Sequence, residues 1–202
     1  KKAVEELRNT HGLQDVHFLS LDVTSDESVT EAAKTLATQV SALDVLVNNA
    51  AIQISRDVDA TQETVDNVKT TFETNVFGVI RTTQAFVPLL KQSKSGRIVN
   101  VGSGLGSLTI QSDPTHFLYS QILMGYVASK TALNSITVAF SKSLAPFNIK
   151  VNTADPGYTI TDMSPNGFHS VEVGAQSTLF LATLPDDGVT ASFFDKDGVL
   201  PW

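Results

Sequence analysis

No cysteine occurs anywhere in the chain, which excludes disulfides, thiolate metal sites and a cysteine nucleophile outright. Basic charge is scarce as well: 14 Lys and Arg stand against 21 Asp and Glu, a formal net charge of -7. Nucleic acid and anionic membrane both call for a basic patch that displaces counterions, so neither is an expected partner, and small molecules remain. No apolar run approaches the roughly 20 residues that span a bilayer. The first residues, KKAVEELRNT, form a charged helical pattern without the apolar region of a secretory signal, so a cytoplasmic location is expected. Histidine is sparse and scattered, at 11, 17, 116 and 169, and fits neither a metal spacing nor a catalytic triad. The DKDG at 195–198 lacks the glutamate that would complete a calcium loop and reads as a hairpin turn, so no metal is assigned.

What is present is 202 residues with 42% apolar content, enough for one substantial core, and residues 1–202 read as a single domain. Val4, Leu7 and Gly12 look like the apolar face and C-cap of a helix already under way, so the domain is expected to begin upstream of residue 1. Residues 16–23 (VHFLSLDV) form a short apolar run expected to be a strand, and 26–40 a helix with its stripe at Val29, Ala33, Leu36 and Val40. Residues 44–49 (DVLVNN) are a second strand, and 61–91 one long helix that Pro88 kinks or ends. A third strand (97–101, RIVNV), a helix (126–144), a fourth strand (149–153, IKVNT), a helix over 171–184 and a last strand over 191–194 complete the reading. Near-continuous apolar strands alternating with helices predict an α/β fold, a parallel sheet covered on both faces. Ligands in such sheets bind beyond the carboxyl ends of the strands.

Those positions carry the candidate chemistry. Tyr126 and Lys130, in YVASK, lie four apart on a helix and share a face, and an ammonium beside a phenol favours the phenolate that acid/base work uses. A solvated pair is the alternative. Ser103, in NVGSGLGS, follows a buried strand and can hydrogen-bond a carbonyl oxygen, or it is simple turn chemistry. The glycines around it do not form a G-x-G-x-x-G phosphate loop. Asn48 and Asn49 end a strand in VNNAA, with Ala50 and Ala51 small enough for close approach of a ligand, or they build an Asn turn. Asn75 sits inside the helical run TFETNVFGV with Gly78 beyond it, which signals a local irregularity or a satisfied buried amide. Pro156 and Gly157, in ADPGYTITDM, make a sharp turn that faces a ligand or serves geometry alone. Asp22 either accepts from an amino group on a planar ring or caps the helix starting near Asp26.

The order of these features resembles the short-chain dehydrogenase/reductase family over almost the whole chain: a strand ending in Asp, NNA, N-x-x-G, Ser after a strand, Y-x-x-x-K, then P-G and T-D-M. The C-terminal stretch from GFHSVEVG to VLPW resembles the carbonyl-reductase-like branch. The resemblance implies a Rossmann-like, doubly wound, three-layer αβα fold. It implies hydride transfer between a nicotinamide cofactor and a ketone, aldehyde or secondary alcohol, with NADP(H) favoured over NAD(H). In that frame Tyr126 is the acid/base, Lys130 lowers its pKa and holds the nicotinamide ribose, Ser103 orients the carbonyl, and Asn75 supports a proton-relay water. Asp22, Val23, Asn49, Ala50, Pro156, Gly157 and Thr159 contact cofactor, as do Tyr126 and Lys130.

The departures are that the family's first strand, glycine-rich turn and next helix have no counterpart here, and that Ala51 stands where the family has Gly in N-N-A-G. An N-terminal βα(β) unit is therefore expected to be missing, and a non-catalytic binding or dimerisation module is the alternative function. Between Ser103 and Tyr126 an insertion with Asp113, Pro114, His116 and Tyr119 is expected to shape the substrate entrance. Pairing through the 61–91 and 126–144 helices, as in the family, makes a homodimer or homotetramer the expected assembly.

Overall fold

The computed structural model describes residues 2–56 and 58–202. Its sheet is parallel throughout, in the order β1 (Val45–Asn48), β2 (Arg97–Val101), β3 (Lys150–Ala154) and β4 (Phe193–Phe194). α1 (Lys2–His11) and α2 (Asp26–Ala37) precede β1, and between the strands run α3 (Val65–Phe72), a π-helical turn (Glu73–Gly78), α4 (Val79–Leu90), α5 (Leu108–Gln111) and α6 (Met124–Leu144). The short α7 (Val171–Gly174) and α8 (Gln176–Ala182) lie between β3 and β4. None of the described helices is long and apolar enough to cross a membrane.

Alternation along β2 explains the three layers. Ile98 packs with Ala32, Phe86, Leu90, Leu144, Ile149 and Val151 under α4 and α6, while its neighbour Val99 packs with Ala154, Leu181 and Leu184 under α8. Both faces of β2 are thus buried, which is why its sequence is a continuous apolar run apart from Arg97 and Asn100. The parallel sheet covered on both faces that the pattern predicts is found, and with it the doubly wound architecture that the resemblance implies.

Three elements differ from expectation. Residues 16–23 are not a strand: the sheet ends at β1, and the backbone of this run is met instead by the Arg8 guanidinium at the Val16 carbonyl and by the Ser28 hydroxyl, which accepts from the Asp22 amide. An apolar β-rich run signals burial but cannot show whether a neighbouring strand is there to pair with it. Leu19 still packs on the core, with a groove of about 520 Å³ between residues 19–20 and α2. The helix expected over 61–91 starts at Val65, because Thr64 caps it by accepting from the Asn67 amide, and it is interrupted at Glu73–Gly78. Pro88 lies inside α4 and neither ends nor breaks it before Leu90. The helix expected over 171–184 is divided at Ala175 into α7 and α8. The turn at 195–198 is the hairpin the sequence implied, with the Asp195 carboxylate accepting from the Asp197 and Gly198 amides.

Candidate active site

The carboxyl ends of β1, β2 and β3 bring the candidate residues together. Ser103 opens a tight 3-10 turn (Gly104–Gly106) directly after β2, its hydroxyl accepting from the Leu105 amide at 3.2 Å. Gly106 in that turn lies so close to α6 that a Cβ would meet the Lys130 backbone at 2.8–2.9 Å. The glycine-rich NVGSGLGS therefore serves close packing of the Ser103 turn onto the helix that carries Tyr126 and Lys130. Ser103 hydrogen-bonds the Tyr126 phenol oxygen.

Lys130 is buried, 2% exposed. Its ammonium donates to the Val101 carbonyl at 2.7 Å and stands 5.6 Å from the centre of the Tyr126 ring. The solvated-pair alternative is excluded by that burial. The electrostatics differ from the expected depression of the phenol: burial pushes Tyr126 up to about 12, the Asp155 charge adds to the rise, and the Ser103 hydrogen bond offsets part of it. Burial likewise pulls Lys130 down to about 8, against the opposing pull of Asp155. The Lys130 head bonds the Val101 carbonyl, and for the phenol burial outweighs the lowering by Ser103.

Asn75 marks the irregularity its sequence context announced, since it sits in the π-helical turn, a feature frequent at functional sites. It is 1% exposed and fully engaged: Oδ1 accepts from the Ile52 amide at 2.8 Å, and Nδ2 donates to the Ile52 carbonyl at 2.9 Å and to the Ser129 hydroxyl at 3.0 Å. One amide thus ties the loop after β1 to α6. Gly78, at the end of the same turn, abuts Val23, whose side chain lies 2.9 Å from where a Cβ would stand. Any larger residue at 78 would push the 22–24 segment away from the site.

The two strand-end asparagines separate. Asn48 is structural: Nδ2 donates to Thr83 Oγ1 and Asn100 Oδ1, and Oδ1 accepts from Thr82. Asn49 and Ala50 are exposed beyond β1. Asp22 is exposed too, its carboxylate accepting from the Thr24 amide and hydroxyl at 2.9 and 2.7 Å, bonds that hold its pKa below the ordinary range. The cap of α2 is Ser25, not Asp22. After β3, Gly157 takes a left-handed φ of 64° and Thr159 donates to the Pro156 carbonyl at 2.8 Å. In the insertion, Leu118 leans toward Gly104, while Tyr119 is half exposed.

Sequence reasoning missed Asp155 and Ser129. Asp155 stands second in the ADPG run as a carboxylate immediately after a buried strand, a signal that was available. Its Oδ1 accepts from the Gly157 amide at 2.9 Å, and a further bond comes from the Gly104 amide. Ser129, which donates to the Tyr126 carbonyl at 2.7 Å, has no sequence signal apart from its place in the helix.

Relatives carry this arrangement further. The family model described as short chain dehydrogenase matches residues 1–171. The chain is 42% identical over 181 residues to the short-chain dehydrogenase anuI of Penicillium roqueforti, covering 87% of this chain and 70% of that protein. It is 32% identical over 251 residues to (+)-neomenthol dehydrogenase of Arabidopsis thaliana, covering 98% and 84%. Among solved structures, the carbonyl reductase Sniffer of D. melanogaster superposes with a TM-score of 0.85 at 26% identity, over 100% of this chain and 83% of the other. An NADPH-bound carbonyl reductase from chicken fatty liver superposes equally well, with a TM-score of 0.85 at 24% identity over 100% and 82%, a likeness of fold. With its parallel sheet, its Ser–Tyr–Lys cluster at the strand ends and these relatives, the chain belongs to the short-chain dehydrogenase/reductase family of oxidoreductases.

Proposed function

We propose that the protein interconverts a ketone and a secondary alcohol, using Tyr126 as the acid/base, and that it works with NADP(H) in preference to NAD(H). The observation that carries the reading is the hydrogen-bonded Ser103–Tyr126 pair beside the buried Lys130. The relatives agree in chemistry: one is a neomenthol dehydrogenase, another, 37% identical over 164 residues, a cyclopentanol dehydrogenase of Comamonas. The NADP(H) preference leans on the carbonyl reductase structure bound to NADPH.

A nicotinamide dinucleotide, when bound, supplies or accepts the hydride. The residues present fit the nicotinamide-ribose half of such a group: Asn49 and Ala50 are open at the end of β1, Pro156, Gly157 and Thr159 form the turn after β3, and Lys130 has ammonium protons left after its bond to Val101. Asp22 and Val23 would meet the adenosine half. Tyr126, with its proton affinity raised to about 12, holds its proton at neutral pH and hands it to the carbonyl oxygen during reduction. Ser103 donates to the same oxygen and orients it. Asn75 holds the loop after β1 against α6, and a water between that loop and Lys130 replenishes the proton. A homodimer or homotetramer through α3, α4 and α6 is the assembly proposed.

The test is Tyr126→Phe, assayed by nicotinamide absorbance with cyclic ketones and secondary alcohols. General acid/base catalysis contributes on the order of 10²–10⁴-fold, so the variant should lose at least about 100-fold in kcat with an unchanged unfolding midpoint. Retained turnover would overturn the assignment.

A further inference from the structure

Asp155 is a half-buried ionisable group at the strand ends that the mechanism above leaves without a task. It follows β3 directly and is fixed from several directions: its amide donates to the Phe194 carbonyl at 2.7 Å, its carbonyl accepts from Ser177 at 2.8 Å, and its carboxylate accepts from the Gly157 and Gly104 amides. Oδ2 lies only 3.0 Å from where a Cβ on Gly104 would stand. The carboxylate therefore bridges the Ser103 turn and the Pro156–Gly157 turn, the two loops that flank the reacting centre.

The charged and titratable groups around it come from three elements. From α6 come Tyr126 and Lys130, from the hairpin after β4 comes Asp195, and in the loop after β3 the His169 ring packs on Gly157. Asp195 already accepts two backbone amides of its own turn. Lys130 is a buried cation whose ammonium, among the described residues, hydrogen-bonds to a neutral carbonyl alone, and an ammonium so placed loses its proton unless a counter-charge is near. Asp155 is the group that opposes this loss. Burial pushes the Asp155 carboxyl above its ordinary range and the Asp195 charge adds to the rise, while the two amides and Lys130 offset part of it in favour of the ionised form.

We propose that Asp155 is a positioning residue of the proposed oxidoreductase: its carboxylate keeps the Lys130 head cationic and Tyr126 protonated, and locks the Ser103 turn to the Pro156–Gly157 turn. This role rests on the oxidoreductase reading, and it acts through Tyr126 and Lys130 rather than on substrate.

The experiment follows the Lys130 side chain by carbon NMR of ¹³C-labelled lysine across a pH series, with Lys130→Met to assign the signal. Asp155→Asn retains an oxygen for the Gly157 amide but removes the charge; Asp155→Ser is a second neutral variant should Asn fold poorly, and Asp155→Glu restores the charge. The Lys130 midpoint, near 8 in the unmodified protein, is expected to fall by about one unit in the neutral variants and to return toward the original in Glu. The basic limb of the pH profile of kcat/KM for ketone reduction should move to lower pH in the same variants, because the phenol then holds its proton less firmly. An unmoved Lys130 midpoint with intact turnover overturns the role of Asp155 alone. The titration needs neither cofactor nor substrate, so a protein that shows the shift but has no nicotinamide-dependent turnover overturns the oxidoreductase reading instead.

Discussion

The two ends of the same three strands are built from opposite materials. Near their amino ends, Leu46, Ile98 and Val151 stand in register across β1, β2 and β3 and meet Phe86, Leu90 and Leu144 in an apolar core. Two residues further along, on the same face, the register reads Asn48, Asn100 and Thr153. These bond to one another and to Thr82, Thr83 and Thr137 from α4 and α6. Apolar burial at one end contributes stability with no directional demand. The other end buries a polar lattice whose every member needs a partner, and Ser103, Tyr126 and Lys130 are mounted immediately beyond it. Stability and site geometry are thus separated by about two residues, or about 7 Å, along each strand.

The sharpest way to break the comparison is at the amino end. Leu90 is fully buried, and Leu90→Ala should cost about 3–5 kcal/mol in denaturant unfolding, the transfer term plus the cavity left behind. If the division holds, kcat per folded molecule changes less than about two-fold. A large fall in kcat at full folding would show that site geometry depends on the apolar end and that the separation is only apparent.

The same division decides what the sequence revealed. The strands β1, β2 and β3 were legible because their runs are apolar and short, and the helices because their stripes keep period. Residues 16–23 were misread because the same composition describes a paired strand and an extended run resting on a core. The break in the long helix was foreshadowed by Asn75 and Gly78, yet its π geometry depends on the Ile52 and Ser129 contacts, which are 23 and 54 residues away in sequence. Tyr126, Lys130 and Ser103 could be read from their order along the chain. Their electrostatics could not, since the direction of the Tyr126 shift is set by burial and by Asp155, neither of which has a spacing rule. Asp155 was hidden in plain view, because the turn formed by Pro156 and Gly157 accounts for the surrounding residues without it.

At the carboxyl end the expected effect is smaller and of a different kind. Asn100→Leu keeps the branched shape in a somewhat larger side chain but deprives Asn48 Nδ2 of the Asn100 Oδ1 acceptor at 2.8 Å, so it should cost about 2 kcal/mol, the penalty of a buried unsatisfied donor. Adding Asn48→Leu removes that orphan as well. Thr82 keeps the Gly78 carbonyl at 3.0 Å as an alternative acceptor, so the double variant should be less destabilised than the sum of the singles by about 1 kcal/mol. Strict additivity in the unfolding energies would mean that the asparagines do not act as a lattice.

A last effect tests whether the site end is held at a cost to stability, and it is read as a difference between two proteins across pH. Lys130 titrates at about 8 in the folded chain against an ordinary 10.5. Below pH 8 both folded and unfolded states carry the proton, and the penalty for burying the cation is fully present. Between 8 and 10.5 the folded state releases the proton while the unfolded chain keeps it, so the unfolded state binds more protons and stability rises with pH. Lys130→Met has no such group. The stability of the Met variant minus that of the unmodified protein should therefore fall by about 2–3 kcal/mol as pH is raised from 8 to 10.5, while the other titrating groups cancel in the subtraction. A flat difference would mean that Lys130 is solvated enough in the folded protein to titrate as it does in the unfolded chain. The contrast between a costly site end and a stabilising core end would then lose its electrostatic half, and only the hydrogen-bonded lattice would distinguish them.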